Sequence, residues 1–401
     1  MMIRRTLFTI LFSGGAVGCT GSDTSDPCAD ATSGTVCRWA GTGDKGFNAL
    51  NPTAHRLEST LYNATDLTFG ADGRGYIVDW NNHRIRRVDP DGSLITILGN
   101  DIEGDGAPNM EDRFPECAPA GAFGTEISMN HPTDVKFGPD GMLYVAAWHN
   151  NKIRVVDPDT TMAYTLVGDD YGFSGDGGSA CRALFNQPKT LVFGPDGTIY
   201  TIDQRNGRIR ALSPGGLDEK IVTTIAGTGA LGNAGDGGQA IDAEFGFELT
   251  ATPRPSGALL LKDRFLYVAD SMNNRIRRIN LDTGIIDCIA GASAQPGYSG
   301  DGGPAINAQL DFPMDLELGP DGRMYIADRY NNVIRAINLD TGIIETVVGT
   351  GNKCSTTMEE CVDRATTSTV ELNQPYGIAF DPKGDMYVAD THNSRILKVV
   401  Q

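Results

Sequence analysis

The side chains best suited to transition-metal chemistry in this 401-residue chain are its five histidines: His55, His83, His131, His149 and His392. A zinc site needs several imidazole or thiolate ligands within about 2.1 Å of one ion. The histidines are dispersed along the chain, and no CxxC motif or zinc-type Cys/His spacing accompanies them. Nucleophile motifs, phosphate-binding loops and paired catalytic carboxylates are also missing. The sequence therefore predicts no catalytic residue and no resident transition metal.

Three Gly-Asp-Gly-Gly segments carry a second set of candidate ligands, the carboxylates of Asp176, Asp236 and Asp301. Calcium takes about six to eight oxygen ligands. One carboxylate on each of three separate loops falls short of that number, so turn formation is the favoured role. Calcium is the one cofactor that the sequence leaves open.

Large polar and aromatic side chains occupy two adjacent, variable positions of a turn that recurs along the chain. The candidate binding residues at these positions are Trp80, Asn81, Trp148, His149, Arg205, Arg329, Tyr330 and His392. Trp, Tyr and Arg dominate the energetics of binding surfaces. The pattern favours a surface for a protein or carbohydrate ligand, and the alternative is a set of ordinary turn residues with partly packed aromatic rings.

Two other positions of the same turn hardly vary. An aspartate opens the turn in five of six copies, with Ala147 in the sixth, and an asparagine always follows three positions later. A ligand can rarely contact six equivalent residues, so a structural role is favoured. Asparagine tolerates a left-handed turn conformation, and aspartate can accept hydrogen bonds from turn amides or pair with arginine.

The turn belongs to a unit of the form apolar-x-Phe-Gly-Pro-Asp-Gly-x-apolar-Tyr-apolar-x-Asp, followed by the asparagine turn and Arg-Ile-Arg. The six copies are Leu67 to Arg86, Val135 to Arg154, Leu191 to Arg210, Leu259 to Arg277, Leu316 to Arg335 and Ile378 to Leu397. Tyr76 and Tyr387 lie five units apart, which gives a period of about 62 residues. A propeller blade usually takes roughly 40 to 50 residues, so the excess is expected in long loops on the face that carries the turns.

Each unit predicts four antiparallel strands, with the Pro-Asp-Gly glycine supplying the positive φ of a tight hairpin. The last unit ends at Val399-Val400-Gln401, after its third strand. The segment from Val36 to Gly43 matches the fourth-strand segment from Val222 to Gly229. Because an open strand edge invites aggregation, the N-terminal strand is expected to complete the last blade. The prediction is an all-β, six-bladed β-propeller of four-stranded blades, closed in this way.

The pattern Pro-Asp-Gly-x-x-Tyr-Val-Ala-Asp-x-x-Asn-Asn-Arg-Ile-Arg resembles the NHL repeat. The loops at Gly175, Gly235 and Gly300 resemble the variant in bacterial NHL-repeat proteins and the propeller of teneurins. The resemblance covers nearly all of residues 36–401 and is specific for fold rather than function.

The resemblance also implies an alternative function, a divalent-metal-dependent lyase or hydrolase in the central channel, as in the NHL-fold amidating lyase. His83, His149 and His392 fall in consecutive blades, but their turns are expected to hold them too far apart for one ion.

The first eighteen residues read as an export signal, with Arg4 and Arg5 before an apolar run and small residues up to Gly18. Ala16-Val17-Gly18-Cys19 resembles a bacterial lipobox, which implies a lipid on Cys19, and residues 19–35 form a polar tether. The predicted location is the cell envelope, with Thr20 favouring the outer membrane. Without use of the lipobox, the protein would be secreted.

Eight cysteines, less a lipidated Cys19, leave an odd number. In an oxidising compartment Cys354 and Cys361 are the first candidate pair, because they bracket a polar loop, and Cys28 with Cys37 is the second. Cys117 and Cys181 could also pair. Cys288, in an apolar run, is the expected free thiol.

The formal net charge is −18, and such a surface repels phosphate backbones and anionic lipid headgroups. Nucleic acid is therefore excluded as an expected partner, and the membrane is contacted only through the N-terminal lipid. The favoured function is an exported binding or scaffolding module for a protein or glycan, expected to be a monomer and not an enzyme.

Overall fold

A computed structural model describes residues 26–47, 54–100, 103–104, 121–168, 170–216, 219–248, 254–354 and 364–401. The regular structure in these ranges consists of β-strands and three-residue 3₁₀ turns, arranged as six antiparallel sheets. No helix in the described part of the chain is long and apolar enough to cross a membrane.

Each sheet is one blade, and blades one to six follow the order of the six units. The first strands, which lie nearest the axis, are Asp66–Phe69, Pro132–Phe137, Pro188–Phe193, Ala258–Lys262, Pro313–Leu318 and Ile378–Phe380. The second strands are Gly75–Asp79, Leu143–Ala147, Ile199–Asp203, Phe265–Asp270, Met324–Asp328 and Met386–Asp390. The third strands are Arg84–Val88, Lys152–Val156, Arg208–Leu212, Arg275–Asn280, Val333–Ile337 and Arg395–Val399. The fourth strands are Leu94–Leu98, Met162–Val167, Val222–Ala226, Ile286–Ala290, Ile343–Val348 and, in blade six, Thr35–Ala40.

The ring closes as predicted, since strand Thr35–Ala40 lies in the sheet of the C-terminal unit. Val36 is opposite Val399 in the last strand of the chain. Six apolar cores, one in each seam between neighbouring blades, continue around the ring, and one of them joins blade six to blade one. The prediction of a closed six-bladed propeller is confirmed.

Blades two, five and six have a fifth strand, which the prediction of four-stranded blades did not include. The added strands are Ala122–Phe123, Gly303–Pro304 and Arg364–Thr366, and each pairs with the outermost strand of its blade. They come from the long connections between blades, where the excess residues were expected. An unpaired outer edge exposes a row of backbone donors and acceptors, so these strands cover edges that would otherwise be open.

Cys28 and Cys37 form a disulfide, as predicted, and Cys288 is a free, half-buried thiol. Cys181 and Cys354 are also disulfide-bonded. Their predicted partners, Cys117 and Cys361, lie outside the described residues, so these two pairings stay predictions. Cys19 and the export signal lie outside the described residues as well.

Candidate functional site

The recurrent aspartate and asparagine form the frame of each turn between the second and third strands. In blade one, Asp79 is fully buried and accepts hydrogen bonds from the backbone N–H of Tyr62 at 2.8 Å and from Asn82 Nδ2 at 2.9 Å. Asn82 Nδ2 also donates to the carbonyl of Gly46 at 2.7 Å. Four further blades repeat the aspartate contacts. The predicted structural role is confirmed, since these bonds attach the turn to the connection between blades.

One part of the expected asparagine role is wrong. The left-handed residue is the one after the asparagine, where the 3₁₀ turn ends, as at His83 with φ 55°. The asparagine lies within the 3₁₀ turn and acts through its amide instead.

The two variable turn positions differ in exposure. The side chain at the first position is half-buried in blade one, where it is Trp80. In the other five blades it is buried, and the residues are Trp148, Gln204, Ser271, Arg329 and Thr391. The second is at least partly exposed in every blade, and Asn81, His149, Arg205, Tyr330 and His392 are half-buried. Side chains at the second position therefore reach the surface that we call the turn face, whereas those at the first position support it.

Three histidines meet on the turn face at the seam between blades one and two, and we call them the histidine cluster: His83, His131 and His149. The backbone N–H of His131 donates to His83 Nδ1 at 3.1 Å. His131 Nδ1 lies 3.0 Å from His149 Nδ1 and 2.6 Å from Asn130 Oδ1. His83 and His149 both contact His131, the residue that precedes the first strand of blade two, whereas His392 stacks on Tyr376.

Two indole rings border the histidine cluster. Trp148 is fully buried and stacks on His149, with ring centres 4.1 Å apart, and the ring centre of Trp80 lies 4.7 Å from that of His131. Trp80 Nε1 is buried without a hydrogen-bond partner among the described residues. Polar donors of this kind are normally satisfied, so this N–H is an unsatisfied donor at the border of the cluster.

Burial keeps the imidazoles of the cluster uncharged. Desolvation, followed by the neighbouring histidines, lowers the pKa of His131 to about 3. Desolvation likewise lowers the pKa of His149 to about 4 and lowers that of His83, although the charge of Glu103 opposes the shift in both. At neutral pH each ring therefore has one nitrogen lone pair that can accept a proton or bind a metal ion.

Blades four to six present a second group on the turn face, the arginine–tyrosine cluster of Arg254, Arg329, Tyr330 and Tyr376. The guanidinium of Arg329 lies 4.5 Å from the ring centres of both tyrosines. Arg254 Nη1 donates to the Tyr330 hydroxyl at 2.5 Å, and its side chain is 52% exposed. Arg329 Nη1 is buried without a hydrogen-bond partner in the described ranges. His392 stacks on Tyr376 and therefore borders this cluster rather than the histidine cluster.

Gln204 connects the two clusters. Its Oε1 accepts the indole N–H of Trp148 at 3.0 Å, and its Nε2 donates to the carbonyl of Arg254 at 2.8 Å. The side chain is fully buried. Because Trp148 supports His149 and Arg254 contacts Tyr330, one hydrogen-bonded network holds both groups in place.

Sequence comparison of the turns alone missed several of these residues, including His131 and Gln374, whose Oε1 accepts from Arg329 Nη2 at 2.9 Å. A second variable position could have identified them. It lies one to four residues before the first strand in five blades, at Asn63, His131, Gln187, Phe312 and Gln374, and further ahead of that strand in blade four, at Phe247. Five of these have left-handed φ between 49° and 62°, which turns the chain toward the neighbouring blade.

The central channel is lined by charged side chains of the first strands. Lys136 Nζ of blade two pairs across it with Glu317 Oε2 of blade five at 2.8 Å. Asp315 Oδ2 accepts the backbone N–H of Ile378 in the next blade at 2.8 Å. These contacts tie blades together. None of the five histidines lies on a first strand, whereas the metalloenzyme hypothesis places its site in this channel.

The candidate calcium ligands are each engaged by a buried arginine of the adjoining blade. The pairs are Asp176 with Arg210 at 2.9 Å, Asp236 with Arg275 at 3.0 Å and Asp301 with Arg335 at 2.5 Å. Arg210 also contacts the frame aspartate Asp203 at 3.0 Å. The three carboxylates thus belong to three separate ion-pair networks that fix the connections between blades.

Comparisons with known proteins agree with this architecture. A model of the teneurin NHL domain matches residues 48–157, and a model of the NHL repeat matches residues 372–399. "Protein SUPPRESSOR OF QUENCHING 1, chloroplastic" of Arabidopsis thaliana is 27% identical over 67% of this chain, and "NHL repeat-containing protein 2" of Gallus gallus is 26% identical over 80%. The chain spans only 24% and 44% of the lengths of these relatives.

Among solved structures, a protein of unknown function from Bacteroides thetaiotaomicron superposes with a TM-score of 0.62 at 15% identity. The alignment covers 91% of this chain and 75% of the other. At that identity the likeness concerns the fold alone. The six repeated units, the closed ring and the matches to both family models support assignment of the chain to the NHL-repeat β-propeller family.

Proposed function

We propose that the chain is an exported binding module that presents its turn face to a protein or glycan ligand. The observation that carries this proposal is the network through Gln204, which joins the histidine cluster to the arginine–tyrosine cluster on one face. Contact residues held by a rigid framework lose little conformational entropy on binding. The six-bladed ring supplies such a framework.

The chemistry of the face suits an acceptor-rich ligand. Trp80 and Tyr330 are half-buried and offer aromatic surface, which stacks on sugar rings and dominates protein interfaces. Arg329 Nη1 and Trp80 Nε1 are buried and have no hydrogen-bond partner among the described residues, so a ligand that displaces the side chains covering them would find an unsatisfied donor at each.

The export part of the proposal rests on the sequence. Residues 1–18 would be the signal peptide, Cys19 the lipidated N-terminus of the mature chain, and residues 19–35 the tether below a propeller of residues 36–401. The disulfide between Cys28 and Cys37 fits an oxidising compartment outside the cytosol. The proposed location is the outer membrane, or the medium if the lipobox is not used.

The test is capture of a ligand by the full-length mature protein, by crosslinking in an envelope extract and on a glycan array. We expect Trp80→Ala and Tyr330→Ala to abolish capture. Tyr171→Ala is the control, because Tyr171 is 68% exposed and belongs to neither cluster. The array separates a glycan from a protein ligand. If both cluster variants capture the same ligand as the unmodified protein, the turn face is not the binding surface.

A further inference from the structure

We propose that the histidine cluster binds one divalent transition-metal ion of the zinc class, with His131 and His149 as the required ligands. This site lies at the seam between blades one and two, apart from the central channel. It is independent of the proposed ligand of the turn face.

The first support is the convergence of three atoms that carry lone pairs. His131 Nδ1, His149 Nδ1 and Asn130 Oδ1 are separated by 2.6, 3.0 and 3.3 Å. Ligands at about 2.1 Å from a tetrahedral ion lie about 3.4 Å from one another. Two of the three separations are therefore close to those of ligands around a single small cation.

The second support comes from hydrogen-bond accounting between the two rings. Two Nδ1 atoms at 3.0 Å need a proton between them, since two lone pairs at that distance repel. A metal ion can replace that proton and accept both lone pairs. The asparagine oxygen beside them is a further acceptor and adds no proton.

Two more side chains lie near His131. One ligand atom from each of His83, Glu103 and His131 lies within 4.8 Å of the other two. Glu103 is exposed and supplies a negative charge near the imidazoles. Nitrogen-rich sites of this kind favour zinc, copper or nickel over calcium or magnesium.

The rings are also held in position, as metal ligands usually are. His149 stacks on the buried Trp148, which is fixed by Gln204. His131 has φ 49°, and its backbone N–H is bound by His83 Nδ1. Little reorganisation of the turn is needed before an ion binds.

The experiment uses the mature protein with any affinity tag removed, stripped of metal by a chelator and then dialysed. Zn²⁺ is titrated against a chromophoric chelator, and Co²⁺ is titrated while the visible absorption of tetrahedral cobalt is recorded. We expect one ion per chain. His149→Ala is expected to weaken Zn²⁺ binding at least about tenfold and to abolish the cobalt spectrum.

His392→Ala is the matched control, because His392 occupies the same turn position in blade six and stacks on Tyr376. It should bind Zn²⁺ like the unmodified protein. His131 is replaced by Asn, which tolerates its left-handed φ, and circular dichroism reports whether each variant is folded. The proposal is overturned if no ion binds, or if folded His149→Ala and His131→Asn bind Zn²⁺ as tightly as His392→Ala. Neither outcome would bear on ligand capture at Trp80 and Tyr330.

Discussion

The indole N–H of Trp148 in blade two donates to the side-chain oxygen of Gln204 in blade three, across 3.0 Å and 56 positions of sequence. Both side chains are fully buried. The same glutamine binds the carbonyls of Glu248 and Arg254. A single amide thus satisfies polar groups from several blades at the turn face.

Replacing Gln204 with Leu should therefore destabilise the propeller. Loss of the amide leaves the Trp148 donor and two backbone carbonyls buried without partners, which costs about 2–4 kcal/mol in free energy of unfolding. Urea denaturation measures the change. Gln295→Leu, at an exposed position, should change the free energy by less than about 0.5 kcal/mol. Equal effects of the two substitutions would contradict a structural role for the network.

Closure of the ring should depend on Val36, which is 1% exposed and packs between blades five and six. Val36→Lys places a charge in that core, and we expect a loss of at least about 3 kcal/mol or association through the exposed edge of the last strand. Size-exclusion chromatography and thermal unfolding report the two effects. Thr35→Lys alters the half-buried start of the same strand and should remain monomeric. A stable monomer of Val36→Lys would argue against the strand as the closing element.

The disulfide between Cys28 and Cys37 closes a loop with a sequence separation of 9. Removing it with Cys28→Ser should lower the free energy of unfolding by about 2.5 kcal/mol, because the unfolded chain gains conformational freedom. Chemical denaturation without reductant isolates this bond from the other disulfides. Cys288→Ser is the comparison, since that thiol is free. No difference in stability between the two variants would contradict the prediction.

Protonation of His392 should lower the stability of the propeller as the pH falls. Burial, followed by the positive charges of Arg329, Lys45 and Lys353, lowers the pKa of this imidazole to about 4. The unfolded value is about 6.5. Between these two pH values the unfolded chain binds more protons than the folded chain. The contribution of the uncharged His392 to stability is therefore complete above pH 6.5 and is lost as the pH falls toward 4.

The difference between the unmodified protein and His392→Asn measures this effect. We expect the difference in free energy of unfolding to change by at most about 1.4 kcal/mol per pH unit across that window. Denaturant titrations at pH 4.5, 5.5 and 7.5 are suitable. A difference that stays constant over these pH values would show that His392 does not carry the effect. His55→Asn provides a second histidine variant for comparison.

Much of the fold followed from the sequence, because its determinants are local and occur six times. The Pro-Asp-Gly turns, the alternating apolar strands and the aspartate–asparagine turn act within a few residues. Six copies fix the number of blades. The match between the segment after Val36 and that after Val222 located the closing strand, since both belong to the same place in the unit.

The contents of the candidate site were decided by the tertiary structure. Sequence comparison could select Trp148 and Arg329 as variable residues, but it could not show that the first turn position is buried and the second partly exposed. It also could not show that His83, His131 and His149 meet. Their convergence depends on how far one blade is rotated against the next, which the apolar seam between the blades sets. The sequence alone therefore determined the repeated frame and the closed ring, and only the packing of neighbouring blades decided which of the unrepeated side chains touch.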